Sequence, residues 1–221
     1  MISLSSLYAN IYPTYLRTEY KVNPFVEESK PRLSWELDGK GFNKFQSAYQ
    51  ILVASSKDLL NKDHGDLWDS KKVSGNQTNQ IEYSGKLLLS GQRVFWKVRA
   101  WDEHDNIGKW SEIQFWELAK PNQNDWLAKW IGIDLNHLAK KGEYHLPPSP
   151  YLRKVTTINK KIKRARLYIS SLGLHNFYIN GEKIGTDFFA SGWTDYNKRV
   201  YYNVYDVTDK LKSGGNVFGA I

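Results

Sequence analysis

The chain has 221 residues, 41% of them apolar and 24% charged, a balance too apolar for a disordered segment and long enough for one or two cores. It has no cysteine, which excludes disulfides, thiolate nucleophiles and Cys-ligated metal sites. The formal net charge of +8 raises nucleic acid as a partner, but no helix-turn-helix, zinc-finger or RNP-like pattern accompanies it.

No apolar run approaches the roughly 18 residues of a membrane-spanning helix. Residues 1–10 lack the basic and apolar regions of a signal peptide, and the compartment is left open. Aromatic residues make up 14% and there is a single Met, which suits β-sheet better than helical bundles. Helical periodicity is nearly absent. The one short helix expected lies at Ser56 to Leu60, with Ser55 or Ser56 as its cap.

Strand patterns come in series. Leu33-Ser34-Trp35-Glu36-Leu37 alternates, residues 48–54 form an apolar run of strand length, residues 94–101 alternate again, and residues 113–118 follow. Polar and Gly clusters at 38–43, 74–79 and 102–108 separate them, as in an antiparallel sandwich. Residues 120–125 read as a polar linker, and Trp126-Leu127-Ala128-Lys129-Trp130 begins a second unit. A Pro-containing loop at 136–150 precedes strands at 151–158, 164–170, 175–179 and 199–204. Asn180-Gly181 predicts a tight hairpin turn within 177–185. Residues 216–221 read as a strand with no partner after it, so the second unit is expected to be truncated. The basic residues Arg153, Lys154, Lys160, Lys161, Lys163, Arg164 and Arg166 fall among these strands and read as one solvated sheet face. The fold class is all-β: two consecutive antiparallel β-sandwich modules, at 14–120 and 126–221.

The first module resembles a fibronectin type III-like, or immunoglobulin-like, sandwich, with Trp35 as its buried early-strand Trp. Lys30-Pro31-Arg32-Leu33-Ser34-Trp35, Ala48-Tyr49-Gln50-Ile51-Leu52-Val53-Ala54, Leu67-Trp68-Asp69-Ser70, Phe95-Trp96-Lys97-Val98-Arg99 and Trp110-Ser111-Glu112 are more specific. They resemble the N-terminal module of bacterial α-L-rhamnosidases. Residues 163–170, Tyr178-Ile179-Asn180-Gly181 and Gly192-Trp193-Thr194-Asp195-Tyr196 look like the sandwich that follows in that family. The resemblance implies a parent that hydrolyses terminal α-L-rhamnose from glycosides with inversion. It also implies an active site in a later α/α barrel, which nothing here resembles. The expected partners are a catalytic domain of the same polypeptide and rhamnose-containing glycans, with no nucleic acid. A stand-alone carbohydrate-binding module and a cell-surface interaction array are the alternatives.

The chemistry fits an accessory role. No spacing picks out a carboxyl pair for inverting hydrolysis, so no catalytic residue is assigned. The acidic stretch Asp102-Glu103-His104-Asp105-Asn106 lacks the EF-hand pattern and reads as a hairpin loop. The five His show no metal spacing, and no metal or cofactor is assigned; some sandwiches of the family bind rhamnose with Ca²⁺, which keeps that ion in view. If the chain binds sugar, the expected site is Trp193 as platform, with Asp195 and Asn180 supplying hydrogen bonds. The competing reading makes Trp193 a packing residue. Trp35, Trp96, Trp101 and Trp116 are expected in cores.

Overall fold

A computed structural model of the chain describes residues 9–119, 123–133 and 148–221. Residues 1–8, residues 120–122 of the expected linker and residues 134–147, which hold most of the expected proline loop, lie outside these. The chain divides into two compact units, residues 1–127 and 128–221.

Unit 1 contains β1 (Ile11–Thr18), β2 (Phe25–Val26), β3 (Arg32–Gly39), β4 (Ala48–Ala54), α1 (Lys57–Asn61), β5 (Trp68–Asp69), β6 (Val73–Ser74), β7 (Ile81–Glu82), β8 (Arg93–Trp101) and β9 (Gln114–Leu118). One sheet runs β1-β3-β7; the other runs β2-β9-β8-β4-β5, with β6 also on β4. Pairing is antiparallel, as expected, apart from two residues where β2 and β9 run parallel.

The core follows from alternation. Ile51 and Val53 on β4, Val94, Trp96 and Val98 on β8, and Trp116 on β9 point inward to meet Leu16, Leu33 and Trp35. The opposite face of β4 is also covered: Leu52 and Ala54 pack with Leu60 of α1, Phe95, Trp110 and Ile113. Burial on both faces explains the unbroken apolar run Ile51-Leu52-Val53-Ala54 within β4. The Ser56 side chain accepts from the Leu59 N–H at 3.3 Å and caps α1. Trp35, Trp96, Trp101 and Trp116 are all buried. Trp110 lies under two cations, Lys97 at 4.7 Å and Arg99 at 4.4 Å from its ring centroid. Beside it Ser111 continues the ladder to β8, its N–H donating to the Val98 carbonyl at 2.8 Å and its Oγ accepting from the Val98 N–H at 3.1 Å.

Unit 2 contains β10 (Leu152–Ile158), β11 (Arg166–Ser170), β12 (Phe177–Ile179), β13 (Glu182–Lys183), β14 (Tyr202–Asp206) and β15 (Gly214–Ala220). One sheet is β10-β15-β12-β13 and the other β11-β14. Ile179, Ile184 and Val207 centre a small core, flanked by Leu167, Phe177 and Tyr205. The strand expected at 216–221 is β15, which pairs with β10 on one side and β12 on the other, both earlier in sequence. The basic residues differ from expectation: Lys160, Lys161, Lys163 and Arg164 lie in the connection between β10 and β11, outside either sheet. Among the described residues no helix is long and apolar enough to cross a membrane.

Candidate functional site

The strongest candidate lies on the loops of unit 2. Asn180 and Gly181 have φ of 53° and 88°, the double positive turn that their residue types allow. The Asn180 side chain is committed internally. Its Nδ2 donates to the Lys210 carbonyl and to Asn216 Oδ1, both at 3.0 Å, and its Oδ1 accepts from the Val217 N–H at 3.0 Å. Asn216, fully buried, also donates to the Lys212 carbonyl at 2.7 Å and accepts from the Lys212 N–H at 3.0 Å. The two amides therefore pin the hairpin to the start of β15.

The β13–β14 loop carries Trp193, whose ring is 86% exposed. Its base is fastened to the β11–β12 loop: the His175 N–H donates to the Ala190 carbonyl at 2.8 Å, and His175 Nδ1 lies 3.1 Å from Ser171 Oγ and 3.4 Å from Ser191 Oγ. Burial pushes the His175 imidazole below its ordinary pKa, against the opposite pull of Asp187. Asp187 accepts from the Tyr205 hydroxyl at 2.7 Å; burial first, and then this bond, drive the phenol pKa upward. Gly185, at φ +79°, lies so close to Tyr205 that a Cβ would stand 2.4 Å from the ring.

Residues 192–195 lie outside any strand, where strand alternation does not fix which way side chains face. Asp195 instead organises a turn. Its Oδ1 accepts from the Asn197 N–H at 3.1 Å, its carbonyl accepts from Lys198 and Arg199, and Oδ2 lies 3.5 Å from Lys198 Nζ. Among the described residues no hydrogen bond joins Trp193, Asp195 and Asn180 to one another. Sequence reasoning missed Phe188 and Phe189, 87% and 75% exposed on the Trp193 loop. Their adjacency in a loop flanked by Asp187 and Gly192 was the available signal.

The acidic loop of unit 1 is self-contained. Buried Asp102 accepts through Oδ1 from the His104 and Asn106 N–H groups, both at 2.9 Å, and through Oδ2 from Asn106 Nδ2 at 3.2 Å. Glu103 and Asp105 pair with Lys44 and Lys72. Its carboxylates thus face donors and cations, apart from the buried Glu103 Oε2, which has no hydrogen-bond partner. Among the described residues no group of three or more His, Asp or Glu gathers to hold a metal ion.

Comparison with known proteins matches two family descriptions in order. Residues 13–122 match a Rha78A-like, N-terminal immunoglobulin domain, and residues 160–221 match the α-L-rhamnosidase N-terminal domain. An α-L-rhamnosidase of Formosa agariphila is 44% identical over 87% of this chain and 21% of its own length. One of Alteromonas sp. (strain LOR) is 36% identical over 99% of the chain and 24% of its own length. The solved structure of the α-L-rhamnosidase from Dictyoglumus thermophilum superposes with a TM-score of 0.84 at 39% identity, covering 95% of this chain and 24% of that one. The chain thus spans about a quarter of the length of these relatives. With an immunoglobulin-like sandwich followed by the α-L-rhamnosidase N-terminal domain, the chain belongs to the N-terminal region of the α-L-rhamnosidase family.

Proposed function

We propose that this chain is the non-catalytic accessory region of a protein that hydrolyses terminal α-L-rhamnose from glycosides. Its modules, at 14–120 and 126–221, act as a scaffold for a catalytic domain elsewhere in the same polypeptide. Its Trp193 loop contacts rhamnose-containing glycans, with Trp193 as platform and Asp195 as acceptor, while Asn180 holds the neighbouring hairpin.

The observation that carries the non-catalytic reading is the span of the chain, which covers about a quarter of the length of its α-L-rhamnosidase relatives and matches two N-terminal domains. Inverting hydrolysis needs a carboxylic acid with a raised pKa facing a carboxylate base. Among the described residues every carboxyl group with a resolved shift is held low. The Arg32 guanidinium holds Glu19 down, and the Lys44 ammonium holds Glu103 down. At Asp69 and Asp102 burial works upward, but hydrogen bonds from Lys71 and Gln50, and from Asn106 and His104, outweigh it. The sugar contact is supported by the exposure of Trp193 on a loop whose base is hydrogen-bonded.

The test pairs two measurements on the full chain. A chromogenic α-L-rhamnoside is expected to show no turnover; turnover lost on substituting an acidic residue of this chain would overturn the non-catalytic reading. Calorimetric titration with L-rhamnose is expected to give heat that Trp193→Ala abolishes. No heat from the wild type, or equal affinity in the variant, would leave Trp193 as a packing residue.

A further inference from the structure

The basic residues of the β10–β11 connection are not used by the function above. Lys160, Lys161, Lys163 and Arg164 place four cations in five consecutive residues and line a groove of about 610 Å³. Its apolar lining comes from Ile158, Ile162 and Leu211, and no acidic residue takes part. Several other cations of the chain meet carboxylates: Lys44 with Glu103, Lys97 with Asp63, Lys210 with Glu182, and Arg166 with Asp206 at 2.6 Å. Lys160, Lys161 and Lys163 are exposed and have no ion-pair partner among the described residues. Like charges held this close repel one another, a cost that an anionic ligand removes.

The charge also continues along the strand. Lys154 on β10, four residues before Ile158 and so on the same strand face, is exposed and likewise without an ion-pair partner among the described residues. At roughly 3.3 Å per residue, Lys154 stands about 13 Å from Ile158. A track of that length suits a polymer with repeated charges better than a single small anion.

We propose that this groove binds an anionic polysaccharide, a glycan bearing sulfate or uronate groups, and so directs the protein to acidic glycans. The proposal rests on the reading of the chain as part of a glycoside-acting protein. The lysine ammonium groups are hydrated point charges suited to a ladder of separated anions. Ile158, Ile162 and Leu211 supply an apolar surface for the C–H faces of sugar rings. Nucleic acid fits less well, because the groove is lined by no aromatic ring on which a base would stack.

The test is affinity electrophoresis of the full chain in native gels containing dextran sulfate, polygalacturonate, neutral dextran or a single-stranded oligonucleotide, at about 50 mM and about 200 mM salt. The sulfate and uronate gels distinguish the two anion sources. Retardation is expected with at least one acidic glycan and not with neutral dextran, weakening by about tenfold or more at the higher salt. K160E/K161E/K163E is expected to lose affinity at least about tenfold, and K160Q/K161Q/K163Q to lose it by a smaller factor. K40E/K62E/K86E changes the net charge equally at exposed lysines of unit 1 and is expected to stay within about twofold of wild type. Equal losses in the two Glu variants, no loss in either, or no retardation by acidic glycans would overturn the proposal. Tighter retention of the oligonucleotide than of both acidic glycans would assign the groove to nucleic acid instead. No arm uses rhamnose, so failure here leaves the α-L-rhamnoside reading standing, and failure of that reading leaves these gels interpretable.

Discussion

Trp35 and Trp96 are 3% and 0% exposed, and replacing either with Ala is expected to cost about 3–5 kcal/mol. Replacement with Phe separates them, because their indole N–H groups stand in opposite circumstances. Trp35 Nε1 donates to Gln46 Oε1 at 3.1 Å; Gln46 is 1% exposed and spends its Nε2 on the Gly75 and Gln77 carbonyls. Trp35→Phe therefore leaves a buried acceptor without its donor, a penalty of about 1–3 kcal/mol beyond the lost ring volume. Trp96 Nε1 is buried with no partner, so Trp96→Phe removes an unsatisfied donor and offsets part of the same volume loss. Trp35→Phe should be the more destabilising by about 1–3 kcal/mol. Urea unfolding of the full chain, followed by hydrogen exchange at the β8 amides, measures the difference as a midpoint shift at constant m. Adding Gln46→Leu should show coupling of about 1 kcal/mol with Trp35→Phe and none with Trp96→Phe. Equal costs for the two Phe variants, or no coupling at Gln46, would refute the hydrogen-bond argument.

Unit 2 offers two further predictions. Gly185→Ala combines a positive φ of +79° with a methyl 2.4 Å from the Tyr205 ring, whereas Gly181→Ala at φ +88° enters open space. The first should lower stability by about 3 kcal/mol or more and the second by about 1 kcal/mol, read from exchange of the β14 amides. At His175, burial holds the folded pKa below the ordinary 6.5, so the folded state binds fewer protons than the unfolded chain in that range. Stability of unit 2 should fall as pH drops from about 6.5 toward the folded value, and His175→Gln should flatten that slope in denaturation measured between about pH 5 and pH 7.

Much of this molecule is legible in its sequence because the relevant signals are local. The apolar run 48–54, the alternation of 94–101, the cap at Ser56 and the Asn180-Gly181 turn all set backbone or burial within a few residues. β1 was not legible: Pro13, a positive φ at Tyr15 and a register shift between Thr14 and Arg17 break its alternation. The partners of β15 were not legible either, since pairing to β10 and β12 is a long-range choice that a strand's own residues do not encode. At the candidate site, sequence nominated the residue types and tertiary structure decided what each does. Asn180 has the chemistry to hold a sugar hydroxyl, yet folding brings Lys210, Asn216 and Val217 to its amide and consumes it. Trp193 has the chemistry of a core residue, yet its loop leaves it 86% exposed. Residue chemistry and short-range periodicity are properties of the chain, whereas hydrogen-bond partners and exposure depend on segments distant in sequence, so only the folded units assign them.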